Sequence, residues 1–435
     1  MGGLTVEAVE TDGRQVRCKC SFSRALRKFF RSDTFWVEYD VDVSDVPAAL
    51  LVVPVVTTIA PIAWATDTTL HVPVVDEQFA ASLEAVKRGY CRLYPEVFAP
   101  DRGQLVGERR ETGTETGTGG TGLLFTGGVD SQAALLTHMD ESPALVAVQG
   151  ADISLANRRG WDAVTAQVAE AAARAGTTHR TVRSNFRDLL NYYLLDAYFQ
   201  GPLGRVWWGA VQYQLALPGL CAPLAHAAGY DSVSLASGYT DDPSKPGDQP
   251  YIVSALAWGD TTVRMSDVDL TRQEKVALLG RHIRQTGGNL TIRSCAADPA
   301  GGNCNRCEKC YRTIAALAVE GIDPSGHGFS ADVLREVTIR ADLEAGAIEL
   351  DHLERVYWGQ VQDRARQGEV APLAEAAEFV QWLRTVDLDR FEVETKRTPT
   401  TDLFYETVRR LPRPLDTALA RATGRMRELV TGPAP

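Results

Sequence analysis

The chain has 435 residues, is 44% hydrophobic and 23% charged, and carries a formal net charge of −11. That length exceeds one ordinary core and predicts two or three domains. The acidic balance weighs against nucleic acid as a main partner, because gripping phosphates takes a positive field.

In chain order, residues 1–100 read as an N-terminal α+β domain. Val37–Val43 alternates as a half-buried strand does. The longest apolar run, Ala48 to Trp64, contains Pro54, Pro61 and two adjacent threonines. It falls short of the roughly 20 residues of a membrane span and reads as buried strand and loop. Asp76–Tyr90 is a predicted helix with Asp76 as its N-cap. Residues 101–121, with the run ETGTETGTGGTG, read as a Gly/Thr-rich linker.

From residue 122 to about 325 strands and helices alternate. Strands are expected at Leu123–Phe125, Ala144–Gln149, Thr178–Arg183 and Asp231–Ala236. Helices are expected at Ser131–His138, Asn157–Ala175 and Val206–Leu217, the last broken by Pro218. This pattern predicts an α/β fold, a parallel sheet with helices on both faces. Residues 326–435 read as a mainly helical C-terminal extension with a loose tail. No basic-then-apolar leader opens the chain, so a cytoplasmic protein without membrane attachment is expected.

The segment Phe125-Thr126-Gly127-Gly128-Val129-Asp130-Ser131 lies between a predicted strand and a predicted helix. Two glycines allow a sharp turn and close approach of a ligand to the backbone. The helix start offers unpaired N–H groups and the positive end of its dipole, which together make an anion site. The Thr126 and Ser131 hydroxyls can add hydrogen bonds. Asp130 makes sense as an indirect magnesium ligand or as a helix-start residue. No lysine ends the loop, so it is not a Walker loop.

The run FTGGVDS resembles the SGGxDS motif of the PP-loop ATP pyrophosphatases, with Thr126 where serine is usual. That resemblance implies the HUP-type α/β fold and cleavage of ATP to AMP and pyrophosphate, with Mg2+ on the phosphates. It implies that Phe125 to Ser131 hold ATP, that Asp130 and Ser131 take part in catalysis, and that Gln149 and Gly150 accommodate adenine and ribose. It also implies a substrate-side lysine, which Lys275 in DLTRQEKVALL resembles; a surface lysine on an amphipathic helix is the plainer reading.

Cys295, Cys304, Cys307 and Cys310 are spaced C-x8-C-x2-C-x2-C. Such a cluster in a chain without a secretion leader predicts a metal site rather than a disulfide framework. Four thiolates satisfy tetrahedral Zn2+ and leave no open position, so the site is expected to be structural. Arg306, Lys309 and Arg312 could offset its negative charge. An iron–sulfur cluster or a redox thiol is the alternative.

The cysteine spacing downstream of the glycine turn is similar to that of the QueC-like branch, the 7-cyano-7-deazaguanine synthases. It implies a ligase that adenylates a carboxylate or carbonyl oxygen and passes it to ammonia or another amine. The resemblance covers residues 122–316, so the N- and C-terminal regions leave the acceptor, a small molecule or a protein, unassigned. Two other readings stay open: a sulfur transferase acting on tRNA or a small molecule, and a non-catalytic nucleotide module whose extensions bind a protein partner. A homodimer is also left open. Secondary candidates are the Ser237-Gly238-Tyr239-Thr240-Asp241-Asp242 turn and Trp207 and Trp208, for which packing is the simpler role.

Overall fold

The computed structural model describes residues 3–112, 118–238, 249–288, 290–330, 332–335, 338–393 and 406–407. Apolar runs bounded by glycine and polar turns become strands of one mixed, mostly parallel sheet. These are β1 (Leu4–Asp12), β2 (Gln15–Phe22), β3 (Thr34–Tyr39), β4 (Leu70–Asp76), β5 (Leu105–Glu111), β6 (Gly120–Leu124), β7 (Ala144–Gln149), β8 (His179–Ser184), β9 (Tyr230–Ala236), β10 (Ala257–Trp258) and β11 (Thr261–Ser266). Their order is β10-β11-β9-β6-β7-β8-β3-β2-β1-β4-β5.

Five of them, β11-β9-β6-β7-β8, are mutually parallel neighbours. The first of the five in the chain, β6, sits between β7 and β9, with Leu123 opposite both Leu145 and Ser234. Strand order therefore reverses at β6. In open α/β sheets that reversal leaves a crevice beyond the carboxyl ends of the strands, where ligands bind. The 125–128 turn follows β6 at that carboxyl end.

Helices cover both faces. Arg158–Ala175, capped by the Asn157 side chain, packs Val164, Val168 and Ala171 against Leu123, Phe125 and Leu145. On the other face Val53–Ala65 packs on Tyr213–Leu220. Those two helices approach so closely that a Cβ on Gly219 would lie 2.1 Å from Thr57 Oγ1. Asp76 caps Glu77–Leu93 as expected, accepting from the Phe79 N–H at 2.8 Å.

The structure corrects several expectations. Residues 48–64 form helices, Ala48–Leu51 and Val53–Ala65, instead of strand and loop. Pro54 fits the first turn, where no N–H is needed. The Thr57 and Thr58 hydroxyls bond back to the carbonyls of Val53 and Pro54. Residues 105–111 of the expected linker form β5, parallel to β4, and Gly120 already belongs to β6; residues 113–117 lie outside the described ones. The N-terminal strands join the main sheet, because β3 pairs antiparallel with β8. One apolar core runs from Leu4 to Met265. Pro218 does not break its helix, which continues to Leu220 and ends at Cys221.

Beyond residue 325 the described chain is helical, with Thr338–Glu344, His352–Gln367 and Ala377–Thr385 as its main α-helices. They share a second core with Arg272–Thr286, Glu308–Val319 and two residues that follow the glycine turn, Val129 and Ala133. Among the described residues no helix is long and apolar enough to cross a membrane.

Candidate functional site

Phe125 follows β6, with its N–H on the Val146 carbonyl and its side chain buried in the core beneath the 158–175 helix. It can offer a ligand only backbone. Thr126 is exposed. Gly127 has φ +77°, a left-handed conformation that strains any other residue. Gly128 then caps the helix Val129–Thr137, and no side chain caps its first N–H groups. Gly128 is also crowded: a Cβ there would lie 3.3 Å from the Arg293 carbonyl oxygen. Ser131 is buried and its hydroxyl donates to the Gly128 carbonyl at 3.2 Å. Val129 is core.

Cations surround this turn. Arg272 Nη2 donates to Asp130 Oδ2 at 2.7 Å, and Lys275 Nζ lies 3.6 Å from Asp130 Oδ1. Lys275 is 1% exposed, so it is no surface lysine, and its ammonium donates to the Ser237 carbonyl at 2.5 Å. It reaches the turn because the capping box of Thr271 and Glu274 starts its helix beside Asp130. Asp130 Oδ1 is buried and accepts no hydrogen bond.

Arg293 braces the turn through its backbone, while its guanidinium lies toward the cysteine loop. Its backbone N–H donates to the Gly127 carbonyl at 2.8 Å, and its Nε donates to the Gly301 carbonyl at 3.1 Å. Its Nη2 is buried with no hydrogen-bond partner. Burial lowers its basicity, while Asp152, Cys295 and Asp298 oppose that fall. Arg272 and Lys275 beside one carboxylate, at a helix N-terminus, make an arrangement that can bind an anion.

Gln149 and Gly150 lie at the carboxyl end of the neighbouring strand. The Gln149 side chain is buried, accepting from Arg183 Nε at 2.9 Å and donating to the Ser154 carbonyl at 3.2 Å. Gly150 has φ +95°, and a Cβ there would meet the Ser184 carbonyl oxygen at 1.9 Å. Packing alone therefore accounts for both identities. Of the Ser237–Asp242 turn, residues 239–242 lie outside the described ones. Trp207 is fully buried, its indole donating to Gln212 Oε1 at 3.1 Å.

The four cysteines converge as their spacing predicts. Their sulfurs all lie within 4.8 Å of one another, close enough to hold a metal ion such as zinc. Cys295 to Cys307 is 3.8 Å and Cys304 to Cys310 is 3.9 Å. A tetrahedron of zinc–sulfur bonds of about 2.3 Å has sulfur–sulfur edges of about 3.8 Å. A disulfide would need about 2.05 Å, and thiolates on separate irons of a cluster would stand further apart. The residues thus fit one four-coordinate ion.

Cys307 caps the Glu308–Val319 helix and Cys310 lies one turn in, so the positive end of the helix faces the sulfurs. Hydrogen bonds from Cys307 and Cys310 hold the Cys295 thiol far below the usual thiol range. The same sharing pushes Cys307 up to about 12 and Cys310 higher still. Arg312 does not offset the cluster's charge as expected. It pairs with Glu308, Nε to Oε1 at 2.7 Å and Nη2 to Oε2 at 3.1 Å.

Asn303 organises this loop. Its Oδ1 accepts from the N–H groups of Ser294 and Cys295, and its Nδ2 donates to the carbonyls of Ile292 and Gly328. Sequence reasoning missed Asn303, Arg272 and Arg293. Only Arg272 left a signal, one helical turn before Lys275. Searches against protein-family models, curated proteins and solved structures found no match to the chain.

Proposed function

We propose that the chain is a PP-loop-type ATP pyrophosphatase of the carbon–nitrogen ligase kind. It takes ATP at Phe125–Ser131, releases pyrophosphate, and passes AMP to an acceptor oxygen that an amine then displaces. One observation carries this reading: an uncapped helix N-terminus after a left-handed glycine, at the strand-order reversal, with Arg272 and Lys275 beside it. The backbone amides would hold the β and γ phosphates, and the cations would stabilise the departing pyrophosphate. Asp130 Oδ1, which accepts no hydrogen bond though Lys275 lies 3.6 Å away, would be the oxygen facing a magnesium ion that neutralises phosphate charge. Zinc at the four cysteines would be structural, since no coordination position stays open.

The other cysteines disfavour sulfur transfer. Burial pushes the Cys20 and Cys221 thiols up to about 12 and raises those of Cys18 and Cys91 as well. None has the lowered pKa of a sulfur-carrying thiol. The test is titration calorimetry with ATP and magnesium, followed by a pyrophosphate-release assay with candidate acids and ammonia. Gly128→Asp, which sets a carboxylate where phosphate would lie, is expected to abolish both signals. No ATP uptake by folded, zinc-loaded protein sinks the reading. Uptake without pyrophosphate release from any acceptor selects the non-catalytic alternative.

A further inference from the structure

The helix His352–Gln367 lies beyond the cysteine loop and brings two side chains to the Asp130 cluster. Gln360 Oε1 accepts from the Arg272 backbone N–H at 3.1 Å, at the start of the 272–286 helix. Tyr357 is 7% exposed, and two guanidinium groups lie over its ring. The Arg272 Cζ is 4.7 Å from the ring centroid and the Arg312 Cζ is 4.5 Å from it. Its hydroxyl donates to the Gly238 carbonyl at 2.8 Å. Gly238 follows Ser237, whose carbonyl receives Lys275.

Each contact restrains a part of the candidate site. A guanidinium stacked on a desolvated ring is held in one orientation. Here that orientation delivers Nη2 to Asp130. Arg312, the other guanidinium at the ring, is itself fixed by Glu308, which also accepts from the Trp358 indole at 3.1 Å. The ring therefore has one rigidly held neighbour, and Arg272 is the more exposed partner.

We propose that Tyr357 is a positioning residue of the nucleotide site. It orients Arg272 onto Asp130 and anchors the chain leaving β9 at Gly238, so the C-terminal helical region completes the site. This rests on the nucleotide reading above, and the experiment separates the two. It uses the full-length, zinc-loaded chain with Tyr357→Phe, Tyr357→Leu, Arg272→Lys and the double variant Arg272→Lys/Tyr357→Leu.

Tyr357→Leu is expected to raise the calorimetric Kd for magnesium ATP about tenfold, through loss of a desolvated cation–π contact and one hydrogen bond. Tyr357→Phe, which keeps the ring, is expected to raise it about threefold or less. In the Arg272→Lys background Tyr357→Leu should add little to Kd while lowering the melting temperature as much as before. An equal Kd effect in both backgrounds, or none in either, overturns the proposal.

Hydrogen exchange of the ligand-free protein is the second readout. Tyr357→Leu should speed exchange of the 126–131 amides and leave the 144–149 amides unchanged. If the unaltered chain takes up no ATP, the nucleotide reading falls and exchange alone decides. Faster exchange confined to the turn supports the positioning role, and unchanged exchange overturns it.

Discussion

The cysteine loop and the glycine turn touch, joined by the hydrogen bond from the Arg293 N–H to the Gly127 carbonyl, yet they are built in opposite ways. The cysteine loop is closed. Its four sulfurs already stand at tetrahedral spacing, and Asn303 ties four backbone groups around them. The glycine turn is open, with exposed Thr126, an uncapped helix start and an acidic oxygen lacking a hydrogen bond. The difference teaches where each draws its order. The first relies on side chains of its own segment, and the second on backbone shape and on side chains from over 140 residues away, such as Arg272.

Breaking the closed member should cost most. Cys307→Ser is expected to abolish stoichiometric metal binding and to destabilise the protein by on the order of 5 kcal/mol, part of what a structural zinc site contributes. Metal analysis with urea unfolding checks this; an unchanged unfolding midpoint would remove the distinction between the two loops. Next comes Asn303→Ala, which strands backbone groups and should cost about 2 kcal/mol while metal is retained.

The open member should tolerate more. Gly127→Ala meets no close neighbour, so its cost is the left-handed backbone alone, about 1 kcal/mol in chemical denaturation. Comparable in size is Asp130→Asn, which removes a partly exposed ion pair with Arg272 and the carboxylate beside buried Lys275 and should cost about 1 kcal/mol, since Lys275 keeps its hydrogen bond to the Ser237 carbonyl. Its effect should fall on magnesium-dependent ATP uptake instead. A large stability loss there would make Asp130 a folding residue and blur the contrast.

The sequence signalled these regions unequally. Cysteine spacing is carried by side chains, so all four members of the cluster were readable. Strand β7 and the 158–175 helix were readable because glycine or polar turns bound them and their buried faces are periodic. The 53–65 helix is buried along nearly all its length, so no polar face reveals a helical period. Strand β5 pairs with β4 on one side only, and its charged LVGERRE sequence reads as loop. Lys275 was readable as a candidate, but its burial depends on helix packing. Arg293, Asn303 and Tyr357 acquire their roles only through contacts made by the folded chain.

The union of β3 with β8 has a practical consequence. A shortened protein starting at residue 118 would bare the outer side of β8, where Val182 and Ser184 now meet Tyr39 and Val37. Unsatisfied strand margins recruit other chains and aggregate. The opening strands thus shield the margin of β8, and trimming them is expected to leave a remainder that aggregates.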